Sequence, residues 1–321
     1  MANRQYREGF SRPWLALLPV GVAMVAVAIT AAATPAPAQR SFATPQQAVA
    51  ALVAATRSGR AAALARVLGP AGVPLIRSGD PVVDRDARQR FVAAYDREHR
   101  IELQSSGKAV LIVGAEHWPM PIPLVRTASG WQFDTAAARR EILDRRIGRD
   151  ELAVIQVCRA YVEAQLRYAS LAARSGARSE YAQHFMSRGR RRDGLYWPTS
   201  PGEPQSPLGP LVAEARAAGY APGTGRRRPH PYYGYYFRIL SAQGPHAPEG
   251  ARSYLVDGHM TGGFALLAYP ATYGDSGIMT FIVNQDGIVF EKNLGPQTAR
   301  KARQIVQYDP DSSWKPAMTP G

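Results

Sequence analysis

The segment 278–291 reads IMTFIVNQDGIVFE and carries the clearest structural signal in the chain. Two apolar runs, 278–283 and 288–291, flank Asn284-Gln285-Asp286-Gly287. An Asp-Gly pair between two apolar runs is the strongest short-range indication of a β-hairpin. The segment therefore predicts two antiparallel strands late in the chain.

More strands and one helix are predicted before this hairpin. Residues 232–240 alternate aromatic and small side chains, and residues 264–269 are apolar, so both ranges are predicted strands. Between Asp150 and Leu171 apolar side chains recur at helical spacing, and Asp150 is a suitable N-cap. The second half is therefore predicted to be a long helix packed on an antiparallel sheet.

Several side chains of this half have a possible functional role and a structural alternative. Cys158 lies on the apolar stripe of the helix and is interpreted as a core residue, because a nucleophile would need a positioned histidine and a lowered thiol pKa. Tyr233 and Tyr235 form either a carbohydrate-stacking face or the ordinary face of a half-buried strand. His246 and His259 have no partners at metal-ligand spacing, so no metal or cofactor is predicted.

A long irregular stretch, 174–231, separates the helix from these strands. Residues 211–218 are predicted to form a short helix within it. Loops of this length are often functional or mobile, which makes Trp197 a candidate binding residue. The alternative is a covering flap in which Leu195, Tyr196 and Trp197 pack on the sheet.

The first half predicts helices followed by strands. Thr44-Pro45-Gln46-Gln47 can begin a helix that ends near Gly59, because Thr44 caps and Gln47 reaches back. A second helix is predicted over 60–68, and Asp84 is predicted to cap a third.

The strands of this half are predicted at 109–113 and 122–126, followed by a tight turn at Ser129-Gly130 into Trp131. Asp134 is then predicted to cap a helix through Arg146. This order of elements resembles the cystatin-like cone of nuclear-transport-factor-2-like domains, and the resemblance implies a cone that often holds a pocket.

A catalytic pocket would need an acid–histidine pair that points inward. The candidate acids and bases of the first half show no recognisable spacing and are interpreted as structural or solvated; they are Asp80, Asp84, His99, Glu116 and His117.

The N-terminus has the pattern of a Sec-type signal peptide. Arg4, Arg7 and Arg12 precede an uncharged run, 14–33, and Ala36-Pro37-Ala38 is an A-x-A cleavage pattern. Cleavage after Ala38 predicts a periplasmic or secreted protein that meets the membrane only during export. The alternative is an uncleaved inner-membrane anchor, since the run is long enough to span a bilayer.

The 321-residue chain is basic, with 39 Lys+Arg against 25 Asp+Glu and a formal net charge of +14. One cysteine excludes an internal disulfide framework. Arginine-rich loops offer a polyanion-binding surface, although a solvated surface is the favoured explanation; the candidates are Arg190, Arg191, Arg192, Arg226, Arg227 and Arg228. No nucleic-acid module is visible, so nucleic acid is not predicted as a partner.

Several motifs across the mature chain resemble the bacterial family known as domain of unknown function 2950. They are Phe42-Ala-Thr-Pro45, Ser78-Gly-Asp-Pro81, Trp118-Pro-x-Pro-Ile-Pro123, Gly130-Trp-x-Phe-Asp134, Arg146-Ile-Gly-Arg149, Ile155-Gln-Val-Cys158, Arg192-Asp-Gly-Leu-Tyr-Trp-Pro198, Gly262-Gly-Phe-Ala265, Met279-Thr-Phe-Ile-Val-Asn-Gln-Asp-Gly287 and Asp309-Pro-Asp-Ser-Ser-Trp314. The resemblance implies a secreted protein; the family has no assigned activity, so no catalytic residues are implied.

Residues 150–293 also resemble the head of type IV pilin-like proteins. The shared features are a helix ending in Tyr168-Ala-Ser170, the sequence Gly-Tyr-x-Phe-Arg, and a sheet that closes on an Asp-Gly hairpin. Gly9-Phe10 is present, but no glutamate follows in the apolar run and another domain intervenes, so only the head architecture is implied.

Together these patterns predict an α+β protein in three parts. These are a signal peptide (1–38), a cone-like domain (39–148) and a helix-plus-sheet domain (149–321) with the insertion 174–231. The first functional hypothesis is a non-enzymatic envelope-associated binding or structural module whose partner is an envelope protein, a glycan or an anionic lipid. The alternatives are a periplasmic hydrolase with a pocket in the first half and a polyanion binder that uses the arginine-rich loops.

Overall fold

The computed structural model describes residues 38–104, 107–174, 176, 178–189, 191–200, 202–220 and 230–317. The predicted signal segment up to residue 37 lies outside these residues, as do Arg190, Arg226, Arg227 and Arg228. Within the described residues, no helix is both long and apolar enough to cross a membrane.

The fold is α+β, as predicted, and its sheets are antiparallel. The helices are α1 Pro45–Ser58, α2 Ala61–Leu68, α3 Val73–Ile76, α4 Pro81–Arg97, α5 Thr135–Arg174, α6 Gly209–Ala217 and α7 Thr298–Gln304, with a 3-10 turn at Pro70–Gly72. The strands are β1 His99–Gln104, β2 Lys108–Val113, β3 Trp118–Pro119, β4 Leu124–Thr127, β5 Gly130–Phe133, β6 Tyr235–Leu240, β7 Ala242–Gln243, β8 Arg252–Ser253, β9 Leu255–Val256, β10 His259–Met260, β11 Ala265–Pro270, β12 Met279–Asn284, β13 Phe290–Asn293 and β14 Lys315–Pro316.

The first sheet has the strand order β1-β2-β4-β5, with β3 paired to β2. Helices α1 and α2 pack on β5, and α4 packs on β1 and β2. The core between them contains Leu52, Val53, Leu111, Leu124 and Phe133. We call this half, through the first turns of α5, the first lobe.

Local capping explains where the first helices begin. Thr44 accepts a hydrogen bond from the Gln47 amide at 3.2 Å, and Gln47 Oε1 accepts one from the Ala43 amide at 3.3 Å. Gly59 ends α1 with a φ of 65°, as predicted. The prediction that Asp84 caps the third helix is wrong, because α4 begins at Pro81 and its N-cap is Asp80. Aspartate followed by proline is the stronger start signal.

Helix α5 runs without a break for 40 residues. Two separate helices, one ending at Arg146 and one beginning at Asp150, were predicted, and this prediction is wrong. Asp134 accepts a hydrogen bond from the Ala137 amide at 3.2 Å, as a cap does, whereas Asp150 lies inside the helix. The predicted domain boundary at 148/149 therefore falls within a helix that both halves share.

The second sheet has the order β14-β13-β12-β11-β6, and α5 packs on β11 and β12. Its core contains Val154, Tyr161, Phe264, Leu266 and Phe281, all buried. We call this half the second lobe. The predicted hairpin is confirmed by the pairing of Ile282 with Phe290, although the connection is longer than the two-residue turn typical of Asp-Gly.

Helix α5 is fixed to this sheet through Glu151. Its Oε1 accepts hydrogen bonds from the backbone amides of Ile278 and Met279, both at 2.8 Å. The hydroxyl of Tyr235 lies 3.4 Å from the same oxygen and donates to the Met279 carbonyl at 2.9 Å. Tyr235 is fully buried, so its side chain belongs to the core and is closed to a surface ligand.

Cys158 is fully buried on α5, which agrees with its interpretation as a core residue. Burial raises the pKa of its thiol to about 12. Because the thiolate is the reactive form, we expect iodoacetamide to leave the native protein unmodified at pH 8 and to alkylate it completely in urea. Mass spectrometry measures both, and rapid alkylation of the folded protein would contradict this placement.

Candidate functional site

An open cavity of about 350 Å³ lies in the first lobe. Its volume is within the range of small-molecule pockets, roughly 300–1,000 Å³. The lining is mainly apolar and comes from α1 to α5 and the segment after β2. Its apolar members are Leu52, Leu64, Leu68, Leu75, Ile76, Val83, Ala87, Phe91, Trp118, Met120, Pro121, Ile122 and Ile142.

The protein leaves this cavity partly uncovered. None of the residues of α4, all of which are described, is buried, although Val83, Ala87 and Phe91 of this helix line the cavity. On the lining segment after β2, Trp118 is 45% exposed. Helix α4 thus presents Val83, Ala87 and Phe91 to an open space, although Phe91 also packs against the core of the first lobe.

Five charged residues also line the cavity: Asp84, Arg88, Arg145, Arg146 and Arg149. Both carboxylate oxygens of Asp84 accept hydrogen bonds from the Ser78 amide, at 3.0 and 3.2 Å. No histidine or cysteine is among the described residues that line the cavity. The cavity is therefore apolar inside, has an excess of cations, and lacks the acid–histidine pair that hydrolysis was expected to need.

Arg146 has a structural role in the cavity wall. Its guanidinium donates to the Pro74 carbonyl at 2.8 Å and also to the Leu75 carbonyl, which fixes α3 to α5. Burial lowers the pKa of Arg146, while the charges of Asp84 and Asp150 act in the opposite direction. Two of its donors are thus already engaged by the protein.

Asp80 connects the two lobes. Its Oδ1 accepts hydrogen bonds from the Val82 and Val83 amides at 3.0 and 3.3 Å, which caps α4. Its Oδ2 accepts from the Tyr220 hydroxyl at 2.7 Å and from the Gly234 amide at 3.1 Å. Asp80 is 1% exposed. One buried carboxylate therefore serves both a helix start and the contact between lobes.

The backbone beside Asp80 also approaches the second lobe closely. Gly79 has a φ of 92°, and a Cβ atom at this position would lie 2.9 Å from Thr272 Oγ1. A side chain here would be both strained and crowded. The Ser78-Gly-Asp-Pro81 motif thus forms a contact between the two lobes.

Asp150 is a buried carboxylate on α5 beside this contact. Arg149 lies 3.3 Å from its Oδ1, whereas Oδ2 has no hydrogen-bond partner among the described residues. Burial raises the pKa of Asp150 to about 6, the charge of Asp80 adds to the increase, and Arg149 and Arg146 oppose it. Asp150 does not line the cavity, so we assign it no role in ligand contact.

In the structure, the titratable residues that were identified in the sequence lie in separate places. His99 stacks on Tyr95 with ring centroids 3.7 Å apart, and His117 lies 2.9 Å from Glu98. Glu116 is exposed in a turn. None of these three lines the cavity, so within the described residues only Asp84 of the proposed acids and bases does. No cluster of three or more potential metal ligands occurs in the described part of the chain.

The predicted binding residues of the second half lie apart from the cavity. The Trp197 ring packs edge-on against Tyr168, and the Arg192 guanidinium lies 5.4 Å from its centroid. Arg191 is exposed. Tyr233 donates from its hydroxyl to Glu214 at 3.2 Å and contacts the Tyr220 and Tyr232 rings. None of these residues lines the cavity of the first lobe.

Sequence reasoning missed the cavity residues Arg88, Trp118 and Arg145. Ala87 and Phe91 recur at helical spacing in the sequence, and this pattern predicts a core-facing helix. That stripe does not reveal whether the opposing side chains fill the space or leave a cavity. The sequence therefore predicts the inward face of α4 but not the cavity beside it.

Comparison with known proteins connects most of the chain to one family. The family described as "Protein of unknown function (DUF2950)" matches residues 39–317. No curated protein and no solved structure matches the chain, so the cystatin-like and pilin-like resemblances stay predictions. The family match spans both lobes, and the chain belongs to the DUF2950 family.

Proposed function

We propose that this protein is an exported, non-enzymatic binding protein that holds an apolar small molecule in the cavity of the first lobe. The observation that carries the proposal is the open, mainly apolar cavity of about 350 Å³ beneath α4. Exposed apolar surface in a concave site is favourably covered by an apolar ligand, because burial removes that surface from water.

Export is part of the proposal and is supported by the basic start, the apolar run 14–33 and the Ala36-Pro37-Ala38 pattern. A binding role is favoured over hydrolysis because the lining has one acid, Asp84, whose oxygens already accept from the Ser78 amide. Catalysis by acid and base would require two convergent titratable groups with different proton affinities.

Filling the cavity is expected to weaken ligand binding. Nile red, a neutral apolar dye, reports binding by its increased fluorescence in an apolar site. Ala87→Phe puts an aromatic ring on the α4 face that lines the cavity, so we expect at least a tenfold weaker affinity for the dye, because the ring occupies the space of the ligand.

Ala93→Phe is the matched control, since Ala93 is exposed on the same helix and does not line the cavity. This variant is expected to bind the dye as the parent protein does. Thermal unfolding shows whether both variants are folded. The proposal fails if the parent protein binds neither Nile red nor decanol. It also fails if the two variants bind the dye equally.

A further inference from the structure

The charges that line the apolar cavity carry information about its ligand. Four arginines and one aspartate are present, so the lining has more cationic than anionic groups. A cation beside an apolar site is costly to leave without a partner, because the medium there screens charge less than water does. An arginine that has no partner in the protein therefore indicates the charge of the ligand.

Three of the four arginines are engaged by the protein. Arg145 lies 2.6 Å from Glu141, and Arg149 lies 3.3 Å from Asp150. Arg146 donates to two backbone carbonyls and is close enough to Asp84 to be influenced by its charge. These three arginines of α5 line the cavity, and the protein itself supplies their partners.

Arg88 is different. It lies on α4 rather than on α5, is partly buried, and makes no hydrogen bond or ion pair with any residue that the structure describes. Its guanidinium has five N–H donors in a planar arrangement that suits carboxylate and phosphate oxygens. It is adjacent in sequence to Ala87 and three residues from Phe91, which line the apolar interior.

We infer that the ligand is an amphiphilic anion, with an apolar chain in the cavity and a carboxylate or phosphate head group on Arg88. This inference rests on the proposed function and names the class of ligand. The anion supplies the charge that the protein does not provide for Arg88, and the chain covers the apolar side of α4. Partial burial strengthens the charge-assisted hydrogen bonds between them.

Competition against Nile red tests the inference with three ligands of equal chain length. Decanol has no charge, whereas decanoate and decyl phosphate present the two kinds of anionic head group. Each is titrated into the protein with bound dye below its micelle concentration. Both anions are expected to displace the dye at least tenfold more strongly than decanol.

Arg88→Ala is expected to weaken displacement by both anions about tenfold and to leave decanol unchanged. The matched control is Arg90→Ala, which removes the same charge from the same helix at an exposed position where the arginine pairs with Asp86. This control should alter none of the three affinities. Raising the salt concentration should weaken only the anions.

The outcomes separate the inference from the proposed function. If decanol displaces the dye as well as the anions do, or Arg88→Ala affects all three ligands equally, the inference is overturned and the apolar cavity remains. If no ligand displaces the dye, the proposed function itself fails. Tighter binding of decanoate or of decyl phosphate supports the inference and identifies the head group.

Discussion

Replacing Asp80 with alanine is expected to lower the free energy of unfolding by about 4 kcal/mol. The side chain accepts four hydrogen bonds, two from the start of α4 and two from Tyr220 and Gly234. Loss of an N-cap costs roughly 0.5–2 kcal/mol, and each hydrogen bond to a buried charged group contributes roughly 1.5–3 kcal/mol. The Gly234 amide would be left buried without its acceptor.

Urea titration at pH 7 measures this change, with two further variants for comparison. Tyr220→Phe removes one of the four donors and is expected to cost about 1–2 kcal/mol. Asp86→Ala is the matched control, because Asp86 is a half-exposed aspartate on the same helix, and its loss should change stability by about 0.5 kcal/mol or less. An Asp80→Ala protein as stable as the Asp86→Ala protein would show that Asp80 does not join the lobes.

Asp150→Asn is expected to stabilise the protein at pH 7.5 by about 2–3 kcal/mol. Burial raises the pKa of this carboxyl to about 6, above its value in the unfolded chain. A group whose folded pKa is raised contributes stability that is fully present below the unfolded pKa, near 4, and is lost as pH rises through the folded pKa. Asparagine stays neutral and avoids this loss.

The pH dependence distinguishes this effect from a general change in packing. The difference in unfolding free energy between Asp150→Asn and the parent protein should be small at pH 4, increase through pH 5–6, and level off above pH 7. Asp144→Asn, at an exposed position on the same helix, should give a nearly flat difference curve. A flat curve for Asp150→Asn would mean that Arg149 and Arg146 fully compensate the buried charge.

Elements with strong local signals were predictable. Thr44 and Gly59 bound α1 through contacts within a few residues, so the sequence alone identifies both ends. The hairpin at 278–291 was predictable for the same reason. The length of its connection was not predictable, because Ile282 pairs with Phe290 rather than with a nearer residue. Local chemistry predicts that a turn exists more reliably than it predicts its register.

The break predicted in α5 shows how tertiary packing overrides a local signal. The sequence predicts one helix that ends at Arg146 and another that Asp150 caps. In the structure the helix continues because Ala138 and Ile142 pack in the first core, while Val154 and Cys158 pack in the second. Burial on both sides of Gly148 offsets the low helix propensity of glycine, which is about 1 kcal/mol.

The sequence by itself determined the α+β class, the ends of α1, the late hairpin, the core position of Cys158 and membership in the DUF2950 family. Only the tertiary structure decided where the cavity lies, that Arg88 has no described partner, and that Asp80 joins the lobes. Asp80 contacts Tyr220 and Gly234 across 140 and 154 residues of chain. Periodicity and capping report on neighbours in sequence, whereas an empty space and a contact between lobes depend on how distant surfaces meet.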